Sequence, residues 1–133
     1  QGPPESFTNL MLKSNSAKSD SVFIIPFHVK SGKGSIMPLD ASGAYVSCYT
    51  IADGYELAVK KCLFALAADG LHVEEILQPI NAMQIADWAV HIAEQWPRQM
   101  ALLPDQCSFE MSVRAGKVVY GPFGTYYNSL EDV

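Results

Sequence analysis

His72-x-Glu74, in "GLHVEEILQP", is the first half of a zinc-deaminase signature, in which a metal-binding histidine and a proton-shuttling glutamate are followed by P-C-x-x-C. The second half is absent, because the only later cysteine is Cys107, in "LPDQCSF". Zinc there would lack two thiolates, and the remaining donors do not close a tetrahedral shell. The surrounding residues also read as a strand. Period two then puts His72, Glu74 and Ile76 on one face and Leu71, Val73, Glu75 and Leu77 on the other. His72 and Glu74 are expected to form a polar strand face rather than a metal site.

Asp87, His91 and Glu94 make a second candidate. In a helix their i, i+4, i+7 spacing places them on one face. Di-iron bundles use Glu-x-x-His from paired helices, whereas this is one helix with the order reversed, so it reads as a wet helical face. His28, in "IPFHVK", has no partner that spacing can name. Cys48, Cys62 and Cys107 are far apart and odd in number. Disulfide scaffolds use even counts at close spacing, so these read as thiols kept reduced in a cytoplasm. There is no G-x-S-x-G elbow and no G-x-x-x-x-G-K-[ST] loop, and Gly32-Lys33-Gly34 is too short to cradle a phosphate. No catalytic, metal-binding or cofactor-binding set emerges, so a binding role is favoured over an enzymatic one.

The elements that would carry these residues are legible in part. Residues 1–20 mix Pro, Ser, Asn and Lys without an apolar period and read as a flexible lead-in. Gln1-Gly2-Pro3 matches the surroundings of a picornaviral 3C protease cut and reads as tag. A single domain is expected over residues 21–127, with a tail at 128–133; 133 residues suit one domain with one core. "SVFIIPFHVK" is a strand, at an edge or bulged because Pro26 cannot donate to a ladder. "GAYVSCYTIA" is a second strand. "DGYELAVKKCLFALAADG" is a helix capped by Asp53, with Leu57, Ala58, Cys62, Leu63, Ala65 and Leu66 inward and Gly70 as its stop. "LHVEEILQPI" is a third strand. Asn81 to Pro97 is a second helix with Ile85, Trp88, Ala89 and Ile92 inward. Phe109, Met111 and Val113 alternate with polar residues, so "SFEMSVR" and "KVVYGPF" read as a hairpin turning at Ala115-Gly116, a short helix ending at Gly116 being the alternative.

The expected fold class is therefore α+β, with a mainly antiparallel sheet and two helices on one face. The order β-β-α-β-α-β-β makes it a ferredoxin-like split βαβ variant.

Charge is distributed unevenly. Residues 69–110 hold seven carboxylates against Arg98, a net charge of −6, so the whole negative balance of −5 belongs to this block. Nucleic acid needs the opposite sign and is excluded as a partner. No apolar run is long enough for a membrane span. A basic protein partner is favoured, since complementary fields speed encounter. The leading expectation is a small, acidic, non-catalytic protein-binding domain of a bacterial cytoplasm. In its sharpest form it is an immunity-type inhibitor that neutralises a basic toxin or nuclease. A ferredoxin-like ligand-binding or regulatory domain that forms a homodimer through its sheet is the second reading, and a small dimeric α/β-barrel-type enzyme the third. The expected partner-binding residues are Glu74, Glu75, Asp87, His91 and Glu94, with the aromatics Tyr120, Phe123, Tyr126 and Tyr127.

Overall fold

A computed structural model describes residues 20–32, 34–38 and 40–127. The expected lead-in before Asp20 and the tail after Tyr127 lie outside the described residues. Within them the chain is α+β, with six strands in one antiparallel sheet and three α-helices.

The first strand, β1 (Ser21–Ser31), is rich in β-branched and aromatic residues on both faces and occupies the middle of the sheet. Sequence of that kind suits a strand covered on two sides rather than one. On one flank β1 pairs along most of its length with β2 (Gly43–Thr50), with Ile25 opposite Cys48, Phe27 opposite Val46 and Val29 opposite Ala44. On the other flank two short strands follow one another: β3 (Leu71–Ile76) pairs with Phe27–Ser31, and β4 (Asn81–Gln84) pairs with Ser21–Ile24. Pro26 falls at the gap between them. Its carbonyl accepts from the Leu77 N–H at 2.8 Å, and a strand residue's N and O point the same way. The missing donor therefore faces the β3–β4 linker, where no ladder bond is due, and a proline in a central strand costs nothing there. The expectation of an edge strand is corrected on this point.

Helix α1 (Tyr55–Ala68) joins β2 to β3, which both run antiparallel to β1 and hence parallel to each other. Ala58, Cys62 and Leu66 pack on Ile25, Phe27, Val29, Ala44, Val46 and Cys48 to make a first core. Leu57, expected inward, is half exposed. Asp53 does not cap the helix: Gly54 precedes it, and the Ala58 N–H finds the Gly54 carbonyl at 3.0 Å. Gly70 ends it as expected, at a φ of 78° that other residues rarely adopt.

Strand β3 departs from period two. Its ladder with β1 shifts register between His28 and Val29, so Val73 lies opposite Val29 while Glu75 lies opposite His28 and Ile76 opposite Phe27. The bulge keeps Leu71, Val73 and Ile76 all on the first core and turns Glu75 away from it.

The expected second helix begins later than periodicity suggests. Asn81–Gln84 are β4, Ile85–Asp87 form one 3-10 turn, and α2 covers only Trp88–Gln95. The expected hairpin strand is a helix, α3 (Gln106–Arg114), so there are three helices and not two. Asp105 caps it by accepting from the Ser108 N–H at 2.8 Å, Gly116 stops it, and only Phe109 and Val113, four residues apart, are buried. Met111, which alternation would have placed beside them, is exposed. The chain then closes with β5 (Val119–Tyr120) and β6 (Gly124–Tyr126), both on the free flank of β2.

Helices α2 and α3 pack on the opposite face from α1. Ile85, Trp88, Ile92, Phe109 and Val113 meet Val22, Tyr49 and Val119 in a second core. The expectation of two helices on one face is thus corrected to helices on both, because β1 and β2 present apolar residues to each side.

Candidate functional site

The acidic block divides into two surfaces. Glu74 and Glu75 are exposed on β3, where Glu74 Oε2 lies 3.3 Å from His72 Nε2. The second surface is the outer side of the α2–α3 layer. Asp87 ends the 3-10 turn and Glu94 stands two turns on; both are exposed, with the exposed Val90 between them on the same stripe. Helix α3 is clamped beside them by Gln106, whose amide accepts from the Ala89 N–H at 2.9 Å and donates to the Ile85 carbonyl at 2.8 Å and to Glu110 Oε2 at 2.8 Å. Asp105 sits at the same end, its carboxyl held below the ordinary value by the Ser108 N–H and hydroxyl. Asp69 is taken up within the fold, accepting from the Tyr120 hydroxyl at 2.6 Å.

Among the described residues only two ion pairs form, His72–Glu74 and Arg114–Asp20. Asp87, Glu75 and Glu94 therefore face solvent without an ion-pair partner among the described residues.

His91 does not share the wet face with Asp87 and Glu94. It is half-buried, and its Nε2 lies 2.7 Å from the hydroxyl of the fully buried Tyr49, with the rings of Trp88 and Trp96 around it. Burial lowers its pKa, and Glu94 opposes that shift. Burial, and then Cys48 behind it, pushes the Tyr49 phenol up. Cys48 and Cys62 meet in the first core, where their mutual hydrogen bond and then burial raise the Cys48 thiol and leave it unreactive. Among the described residues no group of three metal-ligating side chains converges.

The C-terminal aromatics are mostly occupied. Tyr120 and Phe123 pack on the first core, edge to face at 5.6 Å. Burial, then the neighbouring Asp69 carboxylate, raises the Tyr120 phenol. Only Tyr127 is exposed. Tyr126 belongs to a cluster that spacing did not foresee. Its hydroxyl lies 2.6 Å from His28 Nε2, and the His28 ring stacks on Tyr45 at 4.8 Å. Register puts all three on the face of the sheet opposite α1, beyond the end that α2 and α3 cover. Gly43 makes the arrangement feasible, since a Cβ there would overlap the Tyr126 phenol. The one sequence signal for this cluster is the small residue Gly43 opposite an aromatic strand, and it appears only once the register is known.

Among the described residues no helix is long and apolar enough to cross a membrane. Comparison with protein families, with curated proteins and with solved structures finds no match to this chain.

Proposed function

We propose that this chain is a small acidic protein-binding domain that captures and neutralises a basic partner, in the manner of an immunity-type inhibitor of a toxin or nuclease, without chemistry of its own. The observation that carries this reading is the unneutralised carboxylate surface: Asp87, at the start of α2, and Glu94 flank Val90, and Glu75 stands on β3, with no cation among the described residues paired to any of them. Such a surface draws in a basic protein from a distance, and an apolar residue among the carboxylates gives the encounter a contact to settle on. A cytoplasmic setting is part of the proposal, since the exposed thiol of Cys107 stays reduced there. A second reading, a ligand-binding or regulatory domain that pairs through its sheet, draws support from the half-face around His28, Tyr45 and Tyr126.

The test of the first reading replaces Glu75, Asp87 and Glu94 together by Lys. Single changes of these exposed residues to Ala are expected to alter stability by no more than about 0.5 kcal/mol. The triple-Lys protein is expected to associate at least about ten-fold more slowly with a basic partner purified from cognate extract, and the wild-type on-rate is expected to fall steeply with salt. An on-rate equal to wild type in the triple variant would overturn the reading.

A further inference from the structure

A cleft of about 440 Å³ opens at the end of β2. Ile51 and Asp53 of the β2–α1 loop, Leu57 and Lys61 of α1, and Val113 and Arg114 of α3 line it. It thus joins the helix on one face of the sheet to a helix on the other. The volume lies within the range that small-molecule sites occupy.

Both cations in the wall are anchored and keep donors to spare. Lys61 Nζ donates to the Ile51 carbonyl at 2.7 Å, which folds the side chain back over the loop and leaves two N–H groups. Arg114 Nη2 donates to Asp20 Oδ1 at 2.7 Å, and the rest of its guanidinium takes no other partner among the described residues. Asp53 is exposed and has neither a hydrogen bond nor an ion pair among them. Beside these charges Leu57 is half exposed, an apolar side chain facing solvent at the mouth of the cleft.

We propose that this cleft binds a small zwitterion with an apolar side chain, of the aliphatic α-amino acid class. The ligand's carboxylate meets Lys61 and Arg114, its ammonium meets Asp53, and its side chain covers Leu57 and Ile51. Charge decides between ligand classes. A simple carboxylate satisfies the two cations but meets like charge at Asp53, and a simple amine does the reverse. Only a zwitterion pairs with all three, while its side chain takes the exposed Leu57 out of water. This site is separate from the acidic partner surface, so the proposal stands whether or not that reading holds.

The experiment is a nitrogen-15 NMR titration with three probes of one carbon skeleton: leucine, isovalerate and isoamylamine. Leucine is expected to shift the Ala52, Asp53 and Gly116 amides saturably, with each of the other two at least about ten-fold weaker. Arg114→Gln and Asp53→Asn, both at exposed positions, are expected to weaken leucine by about the same factor. Lys61→Met adds a third arm wherever it folds. The proposal is overturned if leucine gives no saturable shift at these amides, if isovalerate or isoamylamine binds as tightly as leucine, or if neither exposed-site substitution weakens it.

Discussion

Tyr49 and His91 meet where the sheet passes under α2, and the chemistry of that contact depends on the imidazole being neutral. A neutral ring accepts the Tyr49 hydroxyl proton at Nε2; a charged one must donate there and carry its charge among Trp88, Trp96 and Tyr49. Burial makes the charged form costly, and the Glu94 carboxylate offsets this only in part. The folded pKa is thus below the ordinary 6.5. Between those two values the unfolded chain holds a proton that the folded chain does not. Stability is therefore complete above the ordinary value and falls as pH drops through it toward the folded one. The melting temperature is expected to fall as pH drops below about 6.5. His91→Gln, which cannot titrate, is expected to flatten that fall, as thermal melts at several pH values will show. Parallel profiles for the two proteins would place the pH dependence elsewhere.

At the scale of elements, α3 shows what a short segment withholds. Phe109, Met111 and Val113 satisfy period two, while Phe109 and Val113 alone satisfy the helical i, i+4 repeat, so nine residues do not separate the two patterns. The signal that separates them lies outside the apolar residues, in Asp105 three positions before Ser108 and in Gly116 at the far end. Asp105→Ala is accordingly expected to lower the urea midpoint and Asp105→Asn to retain most of it, since both Asp and Asn accept the Ser108 N–H. In a hairpin neither change would matter. Elements with strong local patterns were legible: β1 beginning at Ser21, β2, the stop of α1 at Gly70, and the inward Ile85, Trp88 and Ile92. Strand β4 was not, because "NAMQ" carries no alternation and becomes a strand only by pairing with Ser21–Ile24. The acidic block was legible from composition alone. The His28–Tyr126 contact was hidden, because its partners are 98 residues apart and meet through β2, which lies between them.

For the molecule as a whole, the two cores share one sheet. β1 sends Ile25, Phe27 and Val29 to the first core and Val22 to the second, while β2 sends Val46 and Cys48 to one and Tyr49 to the other. Neither core keeps its floor if the other melts, so the domain is expected to unfold in one step. Leu66→Ala in the first core is expected to cost about 2–5 kcal/mol and Trp88→Ala in the second about 3–5 kcal/mol. Trp88 and Trp96 both belong to the second core, so tryptophan fluorescence reports that core while far-ultraviolet circular dichroism reports the entire fold. In Leu66→Ala the two signals are expected to shift together in urea; separate transitions would show independent cores. The rim formed by β3 has a further bearing on how such molecules behave in a crowd. Among the described residues no strand pairs with its outer side, its ladder is broken by the bulge, and Glu74 and Glu75 stand exposed beside one another. Two such rims brought together would set four carboxylates face to face along an irregular seam. Along this rim neighbouring molecules therefore repel where two sheets would otherwise join edge to edge.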